Sequence, residues 1–231
     1  MEELFYKKYK YINNNKRREG ENFKMKRILK WIMFVILLIA FIIIMICIKN
    51  GKIIYFDNIT YTLVTHNTNI ITDNINHIFT FFGSTIWMVL LDLILLSTIK
   101  DKKKAIIICG CLIISILLNI GIKNIFMRER PLVRRLVEET SFSFPSGHTT
   151  AAVSLYGIIL FFIIKSNLTK SKKIIYSIGL IMLMFFIGFS RIYLGAHFAS
   201  DVIGAIIISS AFLILYTAII EKFILKNRQK S

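Results

Sequence analysis

Residues 105–122 read AIIICGCLIISILLNIGI, a run without one charged side chain, and Lys123 follows it at once. Such a run approaches the roughly 20 apolar residues that a helix needs to cross a hydrocarbon core. The alternation of apolar and polar residues that marks a barrel strand is absent from it. A segment in hydrocarbon has no water to satisfy its backbone groups, so this one has to be a helix. Lys123 is informative for the opposite reason. Charge is expensive beside such a run, which makes an ionisable residue at its end a candidate functional residue.

Working outward, similar runs occupy residues 28–48, 78–99, 149–164, 174–189 and 202–224. Of the 231 residues 55% are hydrophobic and only two are proline, which suits long uninterrupted helices. The expected fold is all-α: one integral membrane bundle of six transmembrane helices over residues 28–226. No internal repeat and no Gly-rich linker suggests a second domain. Residues 1–27 are polar and basic, with three consecutive asparagines from Asn13, and read as a disordered or membrane-surface cytoplasmic tail. In the 52–77 connection Phe56, Ile59, Leu63 and Ile70 fall at helical spacing among polar residues. That pattern predicts one amphipathic helix lying at the interface.

The formal net charge of +17 raises the question of nucleic acid, but its distribution answers a different one. Twenty-two of the 30 Lys and Arg residues lie at positions 7–30, in the 100–104 and 165–173 connections, or at positions 222–230. The alternate connections hold eight, at positions 49–52, 123–135 and 191. The positive-inside rule then places both termini in the cytoplasm and the opposite connections outside, in a plasma-membrane protein. No basic-aromatic motif for nucleic acid accompanies the charge. The first run is too long for a leader, and no small-residue cleavage site follows it, so it reads as an anchor. Cys47, Cys109 and Cys111 all fall within apolar runs without metal-ligand spacing, and are expected to pack as small apolar residues.

Three polar motifs share the outward side: Lys123 to Arg130-Pro131, then Pro145-Ser146-Gly147-His148, then Ser190-Arg191 with His197 and Asp201. A phosphoryl group in transfer carries charge on its oxygens and needs fixed cations and donors. Lys123, Arg130 and Arg191 supply the cations. The amides and hydroxyl around Ser146 and Gly147, at the start of a run, make an oxyanion-binding helix N-terminus. The four-residue spacing of His197 and Asp201 places them on one helix face, where the carboxylate orients the imidazole. His197 is then the nucleophile, and His148 the acid that protonates the leaving oxygen and later activates water. Taken singly, each cation reads as a head-group anchor. His66 and His77 read as satisfied polar residues, and Asp92 as a buried hydrogen-bonding residue within the second run.

Jointly the motifs fix eleven residues in order, and they resemble the tripartite signature of the type 2 phosphatidic acid phosphatase superfamily. The resemblance covers Lys123 to Asp201, and the six-run layout extends it over most of the chain. It implies a phosphatase that needs no metal and no cofactor. Lys123, Arg130, Ser146, Gly147 and Arg191 would hold phosphate, and His148, His197 and Asp201 would be catalytic. Membrane members act on lipid phosphates such as phosphatidic acid, phosphatidylglycerol phosphate and undecaprenyl diphosphate. Six membrane runs weigh against the soluble haloperoxidases of the same superfamily. The expected partners are the bilayer and an outer-leaflet lipid phosphate, with undecaprenyl diphosphate ranked ahead of phosphatidylglycerol phosphate. Two alternatives stand beside this: a lipid-linked phosphotransferase using the same histidine, and a non-enzymatic transporter or scaffold.

Overall fold

A computed structural model describes residues 1–133 and 135–228, and among these every regular element is a helix. In chain order they are α1 (Glu2–Lys49), α2 (Ile54–Val64), α3 (Ile70–Phe81), α4 (Thr85–Thr98), α5 (Lys102–Phe126), α6 (Gly147–Lys165), α7 (Lys170–Tyr193) and α8 (Ala199–Arg228). Five segments are each long and apolar enough to cross a membrane: Lys24–Lys49, Lys102–Phe126, Gly147–Lys165, Lys170–Tyr193 and Ala199–Lys222. α3 and α4 together make a sixth, bent by 46°.

The middle of the bundle is α6. Every residue from Thr149 to Tyr156 is buried, because α4, α5, α7 and α8 all pack against it. Its core partners include Met88 of α4, Cys111 and Leu112 of α5, and Ile187 of α7. α1 lies along α8 at the periphery and turns Ile32, Ile36, Ile39, Ile43 and Ile46 outward, as a lipid-facing helix does. At one end of the bundle Glu221 of α8 pairs with Lys30 of α1 at 3.1 Å and with Lys165 of α6. The three motifs lie at the other end.

Three expectations from the sequence are corrected. The backbone of residues 2–27 is helical and continuous with the first span, where a disordered or membrane-surface tail was expected; the helix departs from the disordered alternative alone. The segment holds no proline and is rich in Lys, Arg and Glu, so a helix already nucleated in the membrane propagates into it. The 52–77 connection forms two helices, not one. Asn69 stops the chain by capping α3: its side chain accepts from Ile71 N and Thr72 N, and Thr72 Oγ1 accepts from Asn69 N. The second span, expected as one helix over 78–99, is broken between Phe81 and Thr85. Ser84 caps α4, accepting from Trp87 N at 3.3 Å, and the Tyr156 hydroxyl of α6 donates to the Phe82 carbonyl at 2.9 Å. A carbonyl freed by the break is thereby satisfied from a neighbouring helix. Gly83 sits in this break because a Cβ there would lie 2.6 Å from Ile187 Cγ2 and 3.3 Å from His148 Cβ.

Cys109 and Cys111 are buried free thiols, as the sequence suggests, their Sγ atoms 3.8 and 3.6 Å from the carbonyls of Asp92 and Ser154. Asp92 is buried in α4, but its Oδ1 has no hydrogen-bond partner among the described residues.

Candidate active site

α5 delivers Lys123 in its last turn, and Met127, at φ 50°, turns the chain out of the helix. The following connection folds back on itself, with Ser143 N donating to Arg128 O at 2.8 Å. Two of the motif cations hold it in place. Lys123 Nζ donates to Ser141 Oγ at 3.1 Å and to the Phe142 carbonyl. Arg130 donates from Nε to Ser141 O and from Nη1 to Ala196 O, both at 2.7 Å. Phe144 anchors the end of the connection: it is fully buried, packed on Phe41 of α1 and Phe126 of α5, and fits over Gly204 of α8.

α6 begins at Gly147 with Ser146 as its N-cap, and His148 stands in the first turn. Ser146 differs from expectation. Its N–H donates to Asp201 O at 3.2 Å and its Oγ accepts from Thr149 Oγ1 at 3.0 Å, so its backbone donor belongs to the turn onto α8. Gly147 and His148 occupy the first turn, the region of a helix whose amides lack intrahelical partners.

His197 and Asp201 are also brought together differently from the expected helix face. α8 starts only at Ala199, and His197 lies in the preceding turn, where Gly195 takes φ 69°. The amides of Ala196 and His197 both donate to Arg191 O at 3.1 Å, which folds the imidazole back over the helix start. Asp201 Oδ2 caps the turn by accepting from Phe198 N at 2.9 Å, accepts from the Ser143 hydroxyl, and sits 3.5 Å from His197 Nδ1. Nδ1 is buried and makes no hydrogen bond among the described residues. His197 Nε2 lies 3.3 Å from Arg130 Nη1. A guanidinium has donors only, so Nε2 presents its lone pair there and the ring proton sits on Nδ1, toward Asp201. Burial pushes the His197 pKa down to about 4, against the pull of Asp201 and with Arg191 and Arg130 adding to the push.

Lys123, Arg130, Gly147, His148 and His197 line one cavity of about 760 Å³, with Met88, Ile116 and Ile120 on its apolar side. Arg191 and Asp201 are buried behind this surface. Arg191 Nη1 donates to Thr80 Oγ1 of α3 at 2.6 Å and Nη2 pairs with Glu139, while Nε has no partner among the described residues. Among the described residues no cluster of three His, Cys, Asp or Glu side chains is arranged to hold a metal ion.

Four residues that the motifs do not include are part of this arrangement. Glu139 lies among the cations, its carboxylate paired with Arg191, 3.6 Å from Arg130 Nη2 and 3.8 Å from His148 Nδ1. Arg128 donates to Asp201 Oδ1 at 2.5 Å and to Asp57 of α2 at 2.8 Å. Asn119 of α5 donates to the Pro145 carbonyl at 3.2 Å. Of these, Arg128 and Glu139 offered a signal as charged residues inside the connection between the first two motifs. Asp57 and Asn119 offered none beyond being polar residues on helices.

Relatives share this architecture. Over 117 residues the chain is 42% identical to phosphatidylglycerophosphatase B of Bacillus subtilis (strain 168), an alignment covering 49% of this chain and 56% of that one. It is 26% identical over 147 residues to undecaprenyl-diphosphatase BcrC of the same organism, covering 61% and 71%. The crystal structure of the transmembrane PAP2-type phosphatidylglycerolphosphate phosphatase from Bacillus subtilis superposes with a TM-score of 0.75 at 27% identity, over 82% of this chain and 96% of that one. The bundle is therefore that of a multi-pass membrane protein, with five spans, or six where α3 and α4 count as one. Residues 104–225, which carry all three motifs and four of the cavity's bordering helices and turns, match the model of the PAP2 superfamily, and the chain belongs to that superfamily.

Proposed function

We propose that the chain is a membrane lipid phosphatase working through a phosphohistidine. The observation that carries this reading is the convergence of Lys123, Arg130, His148 and His197 on one cavity that has an apolar wall. His197 Nε2 would attack phosphorus while His148 gives a proton to the departing lipid oxygen. The N–P bond forms as the P–O bond to the lipid breaks. His148, now neutral, takes a proton from water, whose oxygen attacks the phosphohistidine, releasing inorganic phosphate and regenerating His197. Lys123, Arg130 and Arg191 would balance the charge on the transferring group, and the open Nε donor of Arg191 suits a phosphate oxygen. The first-turn amides at Gly147 and His148 add donors. Asp201 would stabilise the imidazolium character that develops on His197.

Phosphatidylglycerol phosphate stands first as substrate, ahead of undecaprenyl diphosphate. That reverses the ranking drawn from charge alone, and rests on the higher identity to phosphatidylglycerophosphatase B. The site would face outward, since the basic helix ends at Lys30 and Lys165 lie at the opposite end of the bundle.

The test is phosphate release by the purified protein from both lipids and from phosphatidic acid, beside His197→Ala. Release by the native chain and none by the variant is the expected result. Release undiminished in His197→Ala would refute the mechanism, and a native chain inert on every lipid would refute the function.

A further inference from the structure

The carboxylate behind His197 is held from an unexpected place. Asp57 lies on α2, outside the residues 104–225 that match the family, yet it is almost fully buried against the start of α8. Its Oδ1 accepts from Ser200 N at 2.9 Å, and its Oδ2 accepts from Ser200 Oγ at 2.7 Å and Arg128 Nη2 at 2.8 Å. Arg128 Nη1 continues the chain, donating to Ser200 Oγ at 2.8 Å and to Asp201 Oδ1 at 2.5 Å. The guanidinium is clamped from its flat side as well, 4.1 Å from the centre of the Phe198 ring. Every donor and acceptor in this chain of contacts is directed, and it ends on the residue that faces the imidazole.

We infer that Asp57 and Arg128 form a positioning pair for the reaction proposed above, on which this inference rests. Phe198 N and the Ser143 hydroxyl hold Oδ2 of Asp201, and Arg128 grips Oδ1, so the two oxygens are fixed from opposite sides with Oδ2 toward His197 Nδ1. Asp57 fixes Arg128 in that grip. Without Asp57 the guanidinium keeps one anionic partner beside Ser200 and the Phe198 ring, and its hold on Oδ1 loosens. Arg128 borders the cavity, but its Nη atoms are bound to Ser200, Asp201 and Asp57, so in this scheme the pair acts through Asp201. A structural tie between α2 and α8 would use the Ser200 contacts alone. The bond from Arg128 to Asp201 is the feature such a tie does not need.

The experiment compares Arg128→Gln, Asp57→Asn, the double variant and Asp57→Glu with the native chain, as full-length protein in mixed micelles with phosphatidylglycerol phosphate. kcat is normalised to folded protein measured by gel filtration. Coupling within one network predicts a fall in kcat of about tenfold for Asp57→Asn and about a hundredfold for Arg128→Gln, with KM changed less than about twofold. The double variant should be no slower than Arg128→Gln, and Asp57→Glu should recover part of the loss. Native kcat per folded Asp57→Asn molecule, or losses that multiply in the double variant, would overturn the inference. If Asp57→Asn does not fold, Arg128→Lys carries the same test, because it replaces the fork that joins both carboxylates with a point charge; a loss of about tenfold is expected and an unchanged kcat counts against it. An inert native chain would remove the functional reading and the pair with it. A working native chain with unaffected variants would remove the pair alone.

Discussion

Glu139 shows how much of the site's chemistry turns on one side chain. Its carboxylate lies where Arg191, Arg130 and His148 converge, so it neutralises cations that a phosphate dianion would also seek. Replacing it with Gln leaves the shape and removes the competing charge. Glu139→Gln should therefore lower the inhibition constant of inorganic phosphate about tenfold, equivalent to roughly 1.4 kcal/mol, in an assay of lipid dephosphorylation. A weaker inhibition constant would show that Glu139 supports the anion site. His197 yields a prediction of another kind. With its pKa pushed down to about 4 the imidazole stays neutral, and nucleophilic, well below the 6.5 of an ordinary histidine. The His197 titration, read from the imidazole NMR signals of the ligand-free protein, should accordingly fall near pH 4, and a value near 6.5 would mean that His197 is solvated. Burial that disfavours the cation also means stability is lost as pH falls from about 6.5 toward 4, where the unfolded chain binds the extra proton. The motif residues themselves were legible because charge beside long apolar runs needs a reason. Glu139 and Arg128 stood out only as charged residues between the first two motifs, and Asp57 not at all, because nothing in one sequence says which carboxylate or guanidinium turns inward.

Elements were legible to the extent that hydropathy alone decides them. Residues 105–122 and the other long runs became helices near their expected places, since no other structure satisfies a backbone in hydrocarbon. The break at Phe82-Gly83-Ser84 was hidden because its residues suit both a helix and a turn, and Tyr156 of another helix supplies the deciding hydrogen bond. His197 was misplaced for a similar reason. An i,i+4 spacing describes a helix face only if the helix includes both residues, and Gly195 ends α7's influence before α8 begins. Contacts between elements can be tested at Gly204. A Cβ there would lie 2.4 Å from Phe144 Cε2 and 2.8 Å from Cζ, against a ring with no room to retreat. Gly204→Ala should destabilise the protein by about 1–3 kcal/mol, read as a lower melting temperature in detergent. Phe144→Leu added to that variant should recover part of the loss, because it vacates the space the methyl needs. If the double variant melts lower than both single ones, Phe144 is not the obstacle.

At the scale of the whole molecule, the two ends of the bundle differ in kind. One end is capped by Lys30, Glu221 and Lys165 in a solvent-side ion cluster, and the connections there carry most of the chain's lysines. The other end carries the cavity, whose cations are bound to carbonyls, hydroxyls and carboxylates of the protein and so are unavailable as head-group anchors. The positive-inside bias counts Lys and Arg in the short connections, and most of these lie at the Lys30–Lys165 end. Leu132, 94% exposed in the connection that borders the cavity, offers a place to read the outcome. In a Cys47→Ala background, whose remaining Cys109 and Cys111 are buried, a Leu132→Cys variant should react with a membrane-impermeant maleimide on intact cells, while the background alone should react far less. A Lys103→Cys variant, in the first turn of α5 at the opposite end, should give the reverse pattern, with labelling only after permeabilisation. If Leu132→Cys is the one that needs permeabilisation, the cavity opens to the cytoplasm and its lipid substrate must be drawn from the inner leaflet.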